Sequence, residues 1–244
     1  MTQLPRAMLI DMDDTILSSY GRPDIAWNTI AAEFAGELAP HSPQQAAAAI
    51  VASARKFWAA AEPEWRLKLA EARREVVRAG FSALAAAGPT ALSSDLAIRL
   101  ADRFTDYREE QMFVFPGAHD AIDALKALGV KLALVTNGAA DTQRAKVERF
   151  ELAHRFDHIQ IEGEHGFGKP EERAYLHAMQ ALDVTAADTW MIGDNLEWEI
   201  EVPQRLGIYA IWMDAHGEGL PAGSTVKPDR IIRSLTELLP DGAA

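Results

Sequence analysis

With 244 residues the chain can hold one large domain, or one domain with a sizeable insertion, and 48% hydrophobic against 25% charged residues is an ordinary globular balance. Zero cysteines exclude disulfides, thiolate metal sites, iron–sulfur clusters and cysteine nucleophiles, and no apolar run approaches the ~20 residues of a membrane span. A net charge of −12 has the wrong sign for steering toward nucleic acid or an anionic lipid surface. The opening stretch, whose short apolar run is broken by Asp11 with no small-residue cleavage site, does not read as a secretory signal, so a cytoplasmic location is expected.

The first element is Ala7-Met8-Leu9-Ile10, a buried strand that stops at Asp11-Met12-Asp13-Asp14-Thr15. From Leu17 to Gln111 the texture changes: 24 of these 95 residues are alanine, and Trp27, Ile30, Phe34, Leu38 and then Leu96, Leu100, Phe104, Tyr107 recur at helical spacing. This segment reads as a helical bundle, with Pro43 at a first turn and Ser94 or Asp95 ahead of the last helix. Beyond Phe115-Pro116-Gly117 helices and strands alternate. A helix over 118–128 precedes strand 130–135, which ends at Thr136-Asn137-Gly138. A helix over 142–150 leads to strand 158–161, the glycine-rich stretch 163–169 and a helix over 171–182. Strand 189–192 ends at Gly193-Asp194, a helix runs to Leu206, and strands at 208–213 and 231–232 precede a C-terminal helix. Strands separated by helices imply right-handed crossovers and a doubly wound parallel sheet. The predicted organisation is therefore an α/β core, 1–16 with 112–244, carrying an all-helical insert over 17–111. The insert has a net charge of −1, so the core carries nearly all the acidity.

Ligands of doubly wound sheets bind beyond the carboxyl ends of the strands. Standing there are Asp11, Asp13 and Thr15, then Thr136 and Asn137, then Asp194, with Lys169 in a loop before a helix. Carboxylates converging without cysteine or a histidine cluster suit a hard cation such as Mg²⁺. The backbone N–H groups of Asn137 and Gly138 open a helix, which suits an anion, and Lys169 adds positive charge. The inventory fits phosphoryl transfer, with Asp11 as the nucleophile and Asp13 as the acid that protonates the leaving alkoxide and the base that then activates water.

In chain order, Asp11-x-Asp13-x-Thr15, Thr136, Lys169 in Gly-Lys-Pro, and Gly193-Asp194 resemble the four motifs of the haloacid dehalogenase-like hydrolase superfamily. The resemblance implies that Asp11 is the nucleophile and a Mg²⁺ ligand, and that Asp13 is the general acid/base and binds Mg²⁺ through its backbone carbonyl. It further implies that Thr136 and Lys169 bind the phosphoryl group, that Asp194 holds Mg²⁺, and that the insert is a helical cap of the C1 type closing over the site. Two departures stand out. Glu199 occupies the place where such proteins usually carry a second aspartate of motif four, and Glu197 lies nearby. Asp13 favours a phosphatase over a dehalogenase, whose halide leaving group needs no proton, and Thr15 weighs mildly against a mutase. The expected partner is a small phosphorylated metabolite, bound by a monomer or homodimer; a binding or regulatory protein with weak catalysis is the alternative.

Other patterns compete. An EF-hand over 11–22 fails because Ile16 replaces the needed glycine and Arg22 the terminal glutamate. Gly163 to Lys169 matches a P-loop until Pro170 replaces its Ser or Thr. His154 and His158 read as a solvated helix end. Trp27, Trp58 and Trp65 are core aromatics or pocket walls, and Arg22, Arg66 and Lys68 are a solvated face or substrate contacts.

Overall fold

A computed structural model describes residues 4–19, 23–60, 62–88 and 91–240. The chain divides into two compact units, Met1–Ser18 with Phe113–Ala244, and Ser19–Met112. Arg22 lies outside the described residues.

The α/β unit begins with β1 (Ala7–Ile10) and, after the acidic loop, β2 (Leu17–Ser18). The chain returns from the helical unit through β3 (Phe113–Val114), antiparallel to β2. This two-stranded ribbon moves the boundary to residues 18/19 and 112/113, because Leu17 and Ser18, expected in the helical insert, pair with Val114 and Phe113 instead. Two residues per strand are too few to leave a periodic signal.

The insert contains α1 (Pro23–Glu33), α2 (Ala35–Leu38), α3 (Pro43–Ala60), a 3₁₀ turn (Pro63–Leu67), α4 (Leu69–Ala87) and α5 (Ser94–Gln111). Helix α3 starts in a capping box: Ser42 Oγ accepts from Gln45 N at 3.2 Å while Gln45 Oε1 accepts from Ser42 N at 2.8 Å. Helix α5 is capped by Ser93, one residue before the expected position, through Leu96 N. The small residues allow close approach, since a Cβ on Gly80 of α4 would lie 3.0 Å from the Ile50 backbone of α3. Trp27 is core: it is buried and stacks on Phe104 with centroids 3.6 Å apart. Trp65 packs edge-on against Phe57, Trp58 is exposed, and Lys68 pairs with Glu64 at 4.0 Å on the surface.

The rest of the α/β unit runs α6 (Ala118–Ala127), β4 (Lys131–Thr136), α7 (Ala140–Arg149), β5 (His158–Ile161), α8 (Glu162–His165), α9 (Glu172–Leu182), a 3₁₀ turn (Ala186–Asp188) and β6 (Thr189–Gly193). A π-helical turn (Leu196–Glu201), α10 (Val202–Arg205), β7 (Tyr209–Met213), β8 (Arg230–Ile232) and a 3₁₀ turn (Leu235–Leu238) complete it. The six-stranded sheet is parallel throughout, in the order β5-β4-β1-β6-β7-β8. Strand β1 is at its centre, and all four of its residues are fully buried, which explains its unbroken apolar run. One face of the sheet, with Leu9, Val135 and Met191, packs on Tyr175, Ala178 and Leu182 of α9. Three sequence readings change in detail: 162–165 is a helical turn within the glycine-rich stretch, the helix after Asp194 starts as a π turn, and the C-terminal helix is a single 3₁₀ turn. His158 opens a strand and does not belong to a helix end.

Replacing Trp27 with alanine removes the stacked partner of Phe104 from the centre of the bundle and is expected to cost about 3–5 kcal/mol. Urea denaturation of the full chain checks this; an unchanged midpoint would return Trp27 to a pocket-wall role.

Candidate active site

Register places the acids. Ile10 of β1 lies beside Ile192 of β6 and Leu134 of β4, so Asp11, Asp194 and Thr136 leave three adjacent strands at the same end of the sheet. Asp11 continues the ladder by one bond, from its N–H to Ile192 O at 2.9 Å. The loop beyond then closes tightly: Ile16 N and Leu17 N both donate to Met12 O, and Asp14, in the left-handed region at φ 55°, donates its N–H to Leu17 O. This turn holds Asp11 and Asp13 in fixed places. Thr15 is fully buried, and its hydroxyl has no hydrogen-bond partner among the described residues.

Lys169 is 1% exposed and lies between two carboxylates, 2.5 Å from Asp11 Oδ1 and 2.7 Å from Glu199 Oε1. Its backbone is gripped by the Asn137 side chain, which accepts from Lys169 N at 2.9 Å and donates to Lys169 O at 2.6 Å. Asn137 therefore uses its amide to position Lys169. Gly168 permits this approach, since a Cβ there would sit 2.6 Å from Asn137 Oδ1.

Glu199 is equally well buried and uses both oxygens. Oε1 meets Lys169, and Oε2 accepts from Asn195 N at 2.8 Å. Asn195 in turn caps the π turn, its Oδ1 accepting from Glu197 N and Trp198 N at 3.0 Å each. Tyr175 adds a further tie, donating its hydroxyl proton to Trp198 O. Space for Glu199 comes from Gly193, where a Cβ would lie 2.0 Å from Glu199 Cγ. Glutamate at this position thus reaches both Lys169 and the Asn195 backbone, while Glu197 is exposed.

Asp13 has a separate environment. Lys146 Nζ donates to both its oxygens at 2.8 Å, and Gln143 Nε2 donates to Oδ2 at 3.1 Å. The same Gln143 Nε2 donates to Thr136 Oγ1 at 2.6 Å, which leaves the threonine's own proton available to another acceptor. Sequence reasoning missed Gln143 and Lys146. Their signal was their spacing of three on the first helix after Thr136, which puts both on one face near the strand ends.

Gly138 requires a correction. Its N–H, expected to face an anion, is donated to Glu162 Oε2 at 3.0 Å in a buried bond. The P-loop resemblance of 163–169 also dissolves: α8 occupies its start, and Lys169 is held by Asp11 and Glu199.

The buried charges do not balance. Burial, outweighing the attraction of Lys169, raises Asp11 above the usual carboxylate range, and burial with the like charges of Glu199, Asp11 and Asp14 raises Asp194 well above it. Burial also pushes Glu199 up to about 7 against the pull of Lys169. Burial alone would lower Lys169, yet Asp11 and Glu199 together raise it, so it stays an ammonium. One ammonium thus faces three acids, Asp11 and Glu199 buried and Asp194 half-buried. Among the described residues no hydrogen-bond donor reaches the Asp194 carboxylate. An all-oxygen set short of positive charge has the donor chemistry of a hard divalent cation, and the residues expected to hold Mg²⁺ fit it.

Comparisons with known proteins show the family of the chain. Residues 5–207 match the family model of haloacid dehalogenase-like hydrolases. The chain is 34% identical over 141 residues to phosphoserine phosphatase of Thermus thermophilus, covering 57% of this chain and 55% of that protein. It is 36% identical over 110 residues to N-acylneuraminate-9-phosphatase of Rattus norvegicus, covering 45% and 44%. The chain thus spans about half the length of the curated relatives it matches. Among solved structures, the HAD-hydrolase YfnB of Bacillus subtilis, bound to magnesium, aligns over 97% of both chains with 26% identity and a TM-score of 0.67. Among the described residues no helix is long and apolar enough to cross a membrane.

The raised acid Glu199 gives a pH signature. Its folded value of about 7 exceeds the ordinary 4.5, so the stability it contributes is complete below about pH 4.5 and is lost as pH rises through about 7. In metal-free buffer, Glu199→Gln is therefore expected to flatten the fall in stability between about pH 5 and pH 8. Urea midpoints of both proteins across that range check it, and parallel slopes would refute it.

Proposed function

We propose that this chain, which belongs to the haloacid dehalogenase-like hydrolases, hydrolyses a small phosphomonoester through an aspartyl-phosphate on Asp11. The observation that carries the reading is the division of labour between two acids on one loop: Asp11 is held by buried Lys169, and Asp13 by Lys146 and Gln143. Related phosphatases acting on phosphoserine and on N-acylneuraminate 9-phosphate support the substrate class.

Lys169 orients the Asp11 carboxylate and brings positive charge to the phosphoryl oxygens, while Glu199 and Asn137 fix Lys169. Thr136, its oxygen already engaged by Gln143, has a proton to donate to a phosphoryl oxygen. In the first step an Asp11 oxygen bonds to phosphorus, the bond to the alkoxide oxygen breaks, and Asp13 supplies that oxygen with a proton. In the second, water gives its proton to Asp13 as its oxygen bonds to phosphorus, and the acyl-phosphate bond breaks to return Asp11 and release phosphate. Lys146 and Gln143 hold the Asp13 side chain in one place, from which it gives its proton to the leaving oxygen in the first step and takes one from water in the second. Mg²⁺, held by the Asp11 and Asp194 carboxylates and the Asp13 backbone carbonyl, would supply neutralising charge for the phosphoryl group.

Phosphate release from a panel of phosphomonoesters is expected to require Mg²⁺, to stop with EDTA, and to fall by about a thousandfold or more in Asp11→Asn. Turnover by Asp11→Asn above about a tenth of the wild-type rate would remove Asp11 as nucleophile. If no panel member is hydrolysed while phosphorylated ligands raise the melting temperature, the protein is a binding protein. Asp13→Asn should slow alkyl phosphates more than nitrophenyl phosphate, whose leaving group needs no proton; equal losses would show that Asp13 is not the leaving-group acid.

A further inference from the structure

Three histidines that the sequence keeps apart meet in the α/β unit: His158 at the start of β5, His165 at the end of α8 and His177 in α9. One ring nitrogen of each lies within 4.8 Å of one from each of the others, and all three residues are half-buried. Ring centroids are 5.0 Å apart for His165 and His177, 5.5 Å for His158 and His177, and 6.2 Å for His158 and His165. The trio shares no residue with the acidic site.

The hydrogen bonds fix two tautomers. His165 Nδ1 is 3.1 Å from Ile161 O, and since a carbonyl only accepts, Nδ1 carries the proton and Nε2 the lone pair. His177 Nδ1 is 2.8 Å from Gln160 Oε1. The orientation of that amide is set by its own Nε2, which donates to Ala174 O at 2.9 Å, so His177 also keeps its proton on Nδ1 and its lone pair on Nε2. His158 Nε2 is buried and has no hydrogen-bond partner among the described residues. A ring that gives one N–H to a carbonyl or amide oxygen and keeps the other nitrogen bare is oriented as a metal ligand is. Phe167 packs its edge or face on His165 and His177, and Arg173, which lies over the Phe167 ring, is paired with Glu171.

We propose that His158, His165 and His177 form a binding site for a transition-metal cation of the Zn²⁺ class, distinct from the acidic site. Three imidazole nitrogens select such an ion over Mg²⁺, which prefers oxygen, and leave a fourth position for water. Zinc–nitrogen bonds of about 2.0–2.1 Å bring nitrogens of a tetrahedral site to about 3.4 Å, a closure that small rotations of the three rings provide. The ion would join β5, α8 and α9, the segments on either side of Gly168-Lys169, and so brace the loop that delivers Lys169.

The test uses the full chain without a histidine tag, dialysed against Zn²⁺ in excess Mg²⁺. Wild type and Asp11→Asn are expected to retain one equivalent of Zn²⁺ and to melt at higher temperature with it, and His165→Gln and His177→Gln to bind at least about tenfold more weakly. Co²⁺ in place of Zn²⁺ should give the strong visible absorption of a four-coordinate site in wild type and lose it in both histidine variants. Melting without metal confirms that each variant folds, and His158→Gln replaces any that does not. The proposal is overturned if wild type retains no Zn²⁺, if the histidine variants bind as wild type does, or if Asp11→Asn abolishes binding.

Discussion

A buried ammonium is tolerable only where buried carboxylates compensate it, and the α/β unit is arranged around that requirement at Lys169. Its two acids come from different parts of the chain, Asp11 from the end of the central strand and Glu199 from the π turn after β6. Each contact also organises what lies behind it. Glu199 ties Lys169 to the cap of the π turn through Asn195, and Asn137 ties the lysine backbone to the end of β4. Removing either carboxylate would leave a charge that burial penalises, so the loops after β1, β4 and β6 are coupled electrostatically as well as through the sheet.

The same cluster contains more acid than its lysine can neutralise. Asp13 is excluded from that deficit because Lys146 and Gln143 supply it with donors. Asp11, Asp194 and Glu199 share one ammonium, and all three are raised above the ordinary carboxylate range, chiefly by burial. A fold that keeps acids in this state is poised to bind a cation, since the ion relieves a repulsion already present in the folded chain. Binding energy and repulsion are in this sense two descriptions of one arrangement.

Much of the fold and part of the site were legible in the sequence, for physical reasons that also mark where legibility ends. Strands buried on both faces leave continuous apolar runs, and this is why Ala7–Ile10 and the acids after it were readable. Asp11 and Lys169, 158 residues apart, were connected through the resemblance to a family; periodicity alone could not join them. The β2–β3 ribbon is too short to have a period. Gln143 and Lys146 sit on a helix so polar that their spacing of three reads equally well as a solvated face. The Gly138 N–H was misread because a helix start suits an anion in general, and the anion it meets is the chain's own Glu162. His158, His165 and His177 were invisible because a strand, a helical turn and a helix with different periods bring them together.

Glu199 shows how a departure from a family pattern can be absorbed locally. An aspartate on the same backbone would be one methylene shorter, and the two contacts of Glu199, to Lys169 and to Asn195 N, point in different directions. The longer side chain needs volume close to β6, and Gly193 provides it by having no side chain of its own. The π turn supplies the remaining adjustment, since its wider winding shifts the residues that follow Asn195 relative to an α-helical start. Gly193, Asn195, the π turn and Glu199 therefore form one structural solution, in which a change at any one position is felt first at Lys169.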